Sequence, residues 1–218
     1  MATQIPKVTY SGAINEIKLG ADDNAVTVGG ASAYAFHDFE GESPRKPAIA
    51  FEVPDVAPEN WPPALKKQYE DVWGDPAAWA KKCVDEFGAD IIHIDFGGTD
   101  PNGADKDAAH AATVAKAVAD AVKVPIVAWG TANVEKDTDV LRSVSEALRG
   151  RRAGIGPLQD TNYKQIGASV IDDANAFADG FDVGTAVTFV SITVAHPTAS
   201  AKKPRCQGET HTRQTRSW

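Results

Sequence analysis

The sequence predicts an α/β fold, a TIM-type (β/α) barrel carried through about four to five βα units, with an N-terminal β-hairpin extension ahead of it. Three observations point that way. Short apolar runs rich in β-branched residues alternate with helical patterns of the length that joins neighbouring parallel strands. Each run empties into a turn of Gly, Thr, Asp, Asn or Pro, and barrel folds build their sites on the loops after the strands. The first run also lacks the Gly-rich phosphate turn of an open doubly wound sheet, which favours the barrel.

The runs at 8–10, 14–19 and 25–28 are short and β-like, broken by Ser11-Gly12, by Gly20-Ala21-Asp22-Asp23-Asn24 and by Gly29-Gly30. They read as a hairpin or small sheet that either plugs the bottom of a barrel or pads a partner. The run 48–53 sets Ile49, Phe51 and Val53 on one face and Ala48, Ala50 and Glu52 on the other. An inward Glu52 needs a hydrogen bond or a function; a bond near the strand end is the expectation. The loop 55–74, with Trp61, Trp73 and several prolines, is long enough to carry a short helix at 65–72. Its two tryptophans either anchor a partner or pack on that helix.

Asp75 and Pro76 then supply an N-cap and a first-turn proline. Trp79, Cys83 and Phe87 form an apolar stripe closed by Gly88, which assigns Cys83 to packing rather than chemistry. The strand at 91–96 places Ile92, Ile94 and Phe96 against helices. Its other face carries Ile91, His93 and Asp95 and must look into polar space. Those two polar residues either hydrogen-bond each other as buried filler or belong to a site. A helix over 108–122 follows, then a strand at 126–129 that opens into Gly130-Thr131-Ala132-Asn133. A third helix begins near Asp137-Thr138, buries Val140, Leu141, Val144 and Leu148, and stops at Gly150. A weak strand at 153–156 opens into Pro157-Leu158-Gln159-Asp160-Thr161-Asn162-Tyr163. The predicted divisions are a hairpin extension over 1–46, a partial barrel over 47–171, and a divergent, acidic-then-basic tail over 172–218.

A chain of 218 residues can bury a sizeable core, and its net charge of −8 argues against nucleic acid or an anionic membrane as a main partner. Five Lys or Arg against one acid over 202–218 leave a tail at +4 on a body at −12. The two cysteines, Cys83 and Cys206, form no CxxC and are too few for a four-cysteine iron–sulfur cluster. No secretory segment opens the sequence and no run is long enough to span a bilayer, so a cytoplasmic location is expected.

No GxGxxG, Walker A or nucleophile-elbow pattern is present. The five histidines, His37, His93, His110, His196 and His211, show no metal-ligand spacing. No residue is therefore assigned a catalytic or metal role. Three post-strand loops do carry matched polar sets: Thr99, Asp100 and Asn102; Thr131 and Asn133; and Asn162 beside Asp160 and Thr161. All three loops are expected to line one face. Such donors and acceptors suit a large polar cofactor better than acid–base chemistry. Thr99, Asp100, Asn102, Thr131, Asn133 and Asn162 are the candidate cofactor-binding residues.

Several runs, in order, then point to a family. They are Val26-Thr27-Val28-Gly29-Gly30, Phe36-His37-Asp38-Phe39-Glu40-Gly41-Glu42, Glu59-Asn60-Trp61-Pro62, and Gly74-Asp75-Pro76-Ala77-Ala78-Trp79-Ala80-Lys81-Lys82-Cys83. Gly98-Thr99-Asp100-Pro101 and Gly156-Pro157-Leu158-Gln159-Asp160-Thr161-Asn162-Tyr163-Lys164 complete the set. Up to about Ile171 the chain resembles the small, delta-type subunit of the corrinoid iron–sulfur protein of the CO dehydrogenase/acetyl-CoA synthase system. The resemblance implies a TIM barrel in a heterodimer whose large subunit carries the iron–sulfur cluster and most contacts to a shared, cobalamin-type corrinoid. No cluster is implied in this chain. The pair would carry a methyl group from a methyl-pterin methyltransferase to the nickel cluster of acetyl-CoA synthase, in the reductive acetyl-CoA (Wood–Ljungdahl) pathway. The small subunit is implied to cap the corrinoid without catalysing a step. From Asp172 the family pattern stops, which suggests a truncated or frame-shifted end, or a lineage-specific tail. The alternatives are a pterin-dependent methyltransferase holding its ring with Asp95 and Asn133, or a purely structural subunit.

Overall fold

The computed structural model describes residues 12–32, 44–171 and 193–194. The run at 8–10, the Phe36–Glu42 motif and the remainder of the tail lie outside the described residues.

Four parallel strands form the frame: β3 (Ile49–Pro54), β4 (Ile91–Asp95), β5 (Ile126–Trp129) and β6 (Gly154–Gly156). They pair in sequence order without reversal, as short apolar runs separated by crossover helices do. A two-residue strand, β7 (Thr193–Val194), pairs in parallel with the free edge of β3. The helices between and after these strands are α1 (Pro63–Lys66), α2 (Pro76–Asp85), α3 (Ala108–Ala121), α4 (Val134–Ala147) and α5 (Tyr163–Ile171).

Strand alternation decides which face each layer covers. Phe51 and Val53, Ile92 and Ile94, and Ile126 and Ala128 share a cluster with Trp79, Cys83, Ala115, Val118, Val140 and Val144, so α2, α3 and α4 lie on one face. The other face is apolar only at its N-terminal end. There Ala50, Ile91 and Val127 pack on Leu19, with Ile17 and Val26 beside it. These last residues belong to the antiparallel hairpin β1 (Ile17–Leu19) and β2 (Val26–Val28). The hairpin thus pads the bottom of the sheet itself, and Gly20 N–H donates to Arg152 O at 3.0 Å to hold it there. Burying Leu19 contributes about 2 kcal/mol.

The caps fall largely where the residue types place them. Asp75 accepts from Ala77 N and Ala78 N at 3.1 and 3.0 Å, Pro76 takes the first turn, and Gly88 leaves α2 with φ +69°. Two elements differ from expectation. In place of one helix over 65–72 the chain forms α1 and a 3₁₀ turn over Glu70–Val72. Tyr69 breaks the helix because its ring stacks on buried Trp79 at 4.1 Å, a packing gain larger than one more helical turn. Trp61 and Trp73 pack edge-on in the same aromatic layer rather than standing free. Helix α4 starts at Val134 rather than near Asp137, because Asn133 is the cap: its Oδ1 accepts from Lys136 N at 3.1 Å. Among the described residues no helix is long and apolar enough to cross a membrane.

Candidate functional site

Parallel pairing puts every strand-to-helix loop at one edge of the sheet, so the three polar loops share that edge as expected. Two contacts tie them together: Lys136 Nζ meets Asp105 Oδ1 at 2.6 Å, and Gln159 Nε2 donates to Ala132 O at 3.0 Å.

The candidate residues take different places on this edge. Thr99 is fully buried, its hydroxyl donating to Phe96 O at 2.8 Å, so it faces the protein. Asp100 Oδ1 accepts from Asn102 N at 2.8 Å and from Asn102 Nδ2 at 3.1 Å, which leaves Asn102 at an exposed loop tip. Thr131 gives its N–H and hydroxyl to Asp137 Oδ1 at 3.0 and 3.1 Å, and receives Asn133 N–H at 3.3 Å. Gly130 is required there, since a Cβ would stand 2.6 Å from the Asp137 carboxylate. Asn162 is buried; its Oδ1 accepts from Gln159 N at 2.8 Å, while Nδ2 has no hydrogen-bond partner among the described residues. Asp100 and Asn102, and Thr131 and Asn133, are thereby brought together in pairs, with Asn162 linked to the third loop through Gln159.

Below this rim the open face of the sheet carries a polar patch that strand register assembles. Glu52, His93, Val127 and Gly154 form one row, and Pro54, Asp95, Trp129 and Gly156 form the next, nearer the loops. No hydrogen bond joins His93 to Asp95, and His93 Nδ1 is buried without a hydrogen-bond partner among the described residues. Burial depresses the His93 imidazole to about 4, so it is neutral at neutral pH. Burial, then the nearby Glu52 and Asp55 charges, pushes the Asp95 carboxyl up to about 6. Glu52 has no side-chain hydrogen bond among the described residues, so the expected strand-end bond is absent. It instead lines a cleft of about 170 Å³ with Pro54, Val56, Trp61, Asp95 and Gly98. That volume suits one small ring system rather than a drug-sized ligand.

Asp55 and His110 escape sequence reasoning. Asp55 is 4% exposed; its Oδ1 accepts from Gly98 N at 2.8 Å, and Oδ2 lies 3.3 Å from His110 Nε2. Burial raises its pKa, opposed by the Gly98 bond and by His110. The pair fastens the first post-strand loop to α3 across the Gly97–Thr99 turn. Nothing in a proline-rich loop signals such a contact, because the partners are distant in sequence. No group of three or more His, Cys, Asp or Glu among the described residues is placed to hold a metal ion.

A family profile described as CO dehydrogenase/acetyl-CoA synthase delta subunit matches residues 16–177. The chain is 40% identical over 153 residues to the acetyl-CoA decarbonylase/synthase complex subunit delta of Archaeoglobus fulgidus, which covers 67% of this chain and 34% of that protein. Identity to the subunit delta of Methanothermobacter thermautotrophicus is 33% over 173 residues, 78% of this chain and 44% of the relative. For Methanocaldococcus jannaschii it is 34% over 168 residues, 74% and 41% respectively. The chain therefore spans less than half the length of these curated relatives.

Proposed function

From the premise that this chain belongs to the CO dehydrogenase/acetyl-CoA synthase delta subunit family, we propose that it is the non-catalytic small subunit of a corrinoid iron–sulfur methyl carrier. In this reading it caps a corrinoid held mainly by a large subunit, which also carries the iron–sulfur cluster. The cobalt of that corrinoid would bear the methyl group taken from a methyl-pterin methyltransferase and delivered to acetyl-CoA synthase/CO dehydrogenase. Residues 47–171 are a sector of a (β/α) barrel, supported by a strand order without reversal and helices on one face. Residues 1–46 are its hairpin extension and 172–218 a divergent tail.

The observation that carries the cap is the single rim on which the polar loops meet. A corrinoid is a broad disc fringed with carboxamides, and amide donors and acceptors answer such a fringe. Exposed Asn102 and half-buried Asp100, Thr131 and Asn133 are placed to reach it, while buried Thr99 and Asn162 hold the loop backbones. Among the described residues His110 is engaged by Asp55 and His93 lies below the rim on the sheet, so neither is placed as a lower cobalt ligand, and in this reading that ligand comes from the large subunit. One rim walls one side of the disc; the other wall is the partner's.

The test is visible absorption after incubation with cobalamin and desalting, for the chain alone and for the chain co-expressed with a large subunit. Stoichiometric corrinoid only in the co-expressed sample is expected. Retention by the chain alone, or by neither sample, rejects the cap.

A further inference from the structure

We propose that the acidic cleft at the end of β3, lined by Glu52, Asp55 and Asp95, is the docking site of this chain's own basic segment, Lys202-Lys203-Pro204-Arg205. The inference does not rest on the corrinoid reading.

Strand register builds the cleft. Glu52 pairs with His93 and Pro54 with Asp95, so the Glu52 and Asp95 carboxylates are diagonal neighbours on the open face, and Asp55 follows at the strand end. All three line the cleft of about 170 Å³ with half-buried Trp61, and no Lys or Arg stands among its lining residues. Part of this charge is already answered by backbone: Asp95 accepts from Gly97 N–H, and Asp55 Oδ1 from Gly98 N–H at 2.8 Å. The rest is not. Glu52 has no side-chain hydrogen bond among the described residues, and neither does Asp55 Oδ2, on a side chain that is fully buried. His110 Nε2 stands 3.3 Å from that oxygen without completing a bond. Burial, then the charges of Glu52 and Asp55, raise the Asp95 carboxyl, and a cation among the three would relieve that repulsion. A guanidinium or ammonium supplies donors and opposite charge together, and Trp61 gives it an aromatic wall. The far side of the open face holds no such acid. There Trp129, 44% exposed, leans over Gly156, where a Cβ would come within 2.6 Å of its ring.

Topology and charge name the occupant. Strand β7 runs parallel to β3, with Thr193 opposite Ile49 and Val194 opposite Ala50, so at Val194 the chain is heading for the edge where the cleft opens. Lys202 follows Val194 by eight residues, a reach of up to about 28 Å. The distance along β3 from Ala50 to Pro54 is roughly 13 Å, well within it. Residues 202–218 carry five Lys or Arg against one acid, on a body at −12. Lys202, Lys203 and Arg205 bring three cations within four residues, to meet three carboxylates. A tether this short holds the segment at high effective concentration, so modest contacts suffice to seat it.

Two measurements on the full-length chain test this. Zero-length carbodiimide coupling at 50 mM salt, mapped by mass spectrometry in the monomer band, is expected to join Lys202 or Lys203 to Glu52 or Asp95. Absence of such a link, or its presence only in a dimer band, overturns the proposal; the second result would give the cleft to another copy's segment. In the other measurement, a peptide of residues 202–218 is titrated calorimetrically into the parent and into the full-length Lys202→Gln/Lys203→Gln/Arg205→Gln variant. The variant, its own segment neutralised, should bind the peptide at least tenfold more tightly than the parent. Adding Glu52→Gln to that variant should weaken the peptide fivefold or more, with unchanged far-UV circular dichroism, and so should raising salt to 300 mM. No binding by millimolar concentration, equal binding to parent and variant, or indifference of a folded Glu52→Gln chain to the change overturns the proposal. The coupling experiment uses the unaltered chain, so misfolding of a variant does not remove the test.

Discussion

Replacing Asp95 by Asn should change how stability depends on pH, in a direction that the sheet's open face dictates. The Asp95 carboxyl sits at about 6 in the fold against an ordinary 3.8, because burial and the charges of Glu52 and Asp55 disfavour its ionised form. Between those values the folded chain binds more protons than the unfolded chain, so stability falls as pH rises through the window. Above pH 6 the ionised group is a net cost to the fold. Asn has the same shape and cannot ionise. From pH 4.5 to 7 the variant should therefore gain on the parent by about 2 kcal/mol, at roughly 1.4 kcal/mol for each pH unit up to 6. His93 acts in the opposite sense: held at about 4, below its ordinary 6.5, it adds stability as pH rises from 4 to 6.5. It is present in both chains and drops out of the difference. Urea unfolding followed by circular dichroism at four pH values measures the effect. A parent–variant difference constant to within about 0.5 kcal/mol across the range would refute the reasoning.

Three further outcomes follow from packing and capping. Trp79→Ala removes the ring on which Tyr69 stacks and against which Trp61 and Trp73 pack, and should cost about 3–5 kcal/mol in urea unfolding. Asn133→Ala removes the cap on α4 and should cost about 1 kcal/mol, where Asn133→Ser costs much less. Cys83 is fully buried and burial pushes its thiol up to about 12, so iodoacetamide at pH 8 should leave the Cys83 peptide unmodified until urea unfolds the chain.

The frame was legible because its signals are local. The alternation of 91–96 alone assigns Ile92, Ile94 and Phe96 to the helix side and His93 and Asp95 to the open side, as found. Cys83 was readable as packing from its stripe, and Asp75 as a cap from Pro76 beside it. Features set by distant pairing were not legible. The start of α4 was misplaced because Asp137 has the chemistry of a cap yet turns back to Thr131, leaving Asn133 to cap. Glu52 was expected to be bonded, and its place beside His93 and Asp95, with no side-chain hydrogen bond among the described residues, depends on a register that the run 48–53 does not contain. The exposure of Trp129 depends on a glycine in the next strand, which no window around 126–129 contains. Asp55 meets Gly98 and His110 only after two strands have paired.

The hairpin under the sheet sets an order of events during folding. Each βα unit pairs with the one made just before it, so the sheet can grow one crossover at a time as the chain is synthesised. Leu19 cannot follow that order. Its seat includes Val127, and Gly20 bonds Arg152, so the first-made described element must wait for the third and fourth strands of the sheet. Until then Ile17, Leu19 and Val26 have only part of their seat, and the lower ends of β3 and β4 lie open as an adhesive surface. Closing so long a loop is slow, and it concentrates the risk of misassembly at the step after β6 emerges. A chaperone that shields the nascent hairpin would act on this chain at that one interval.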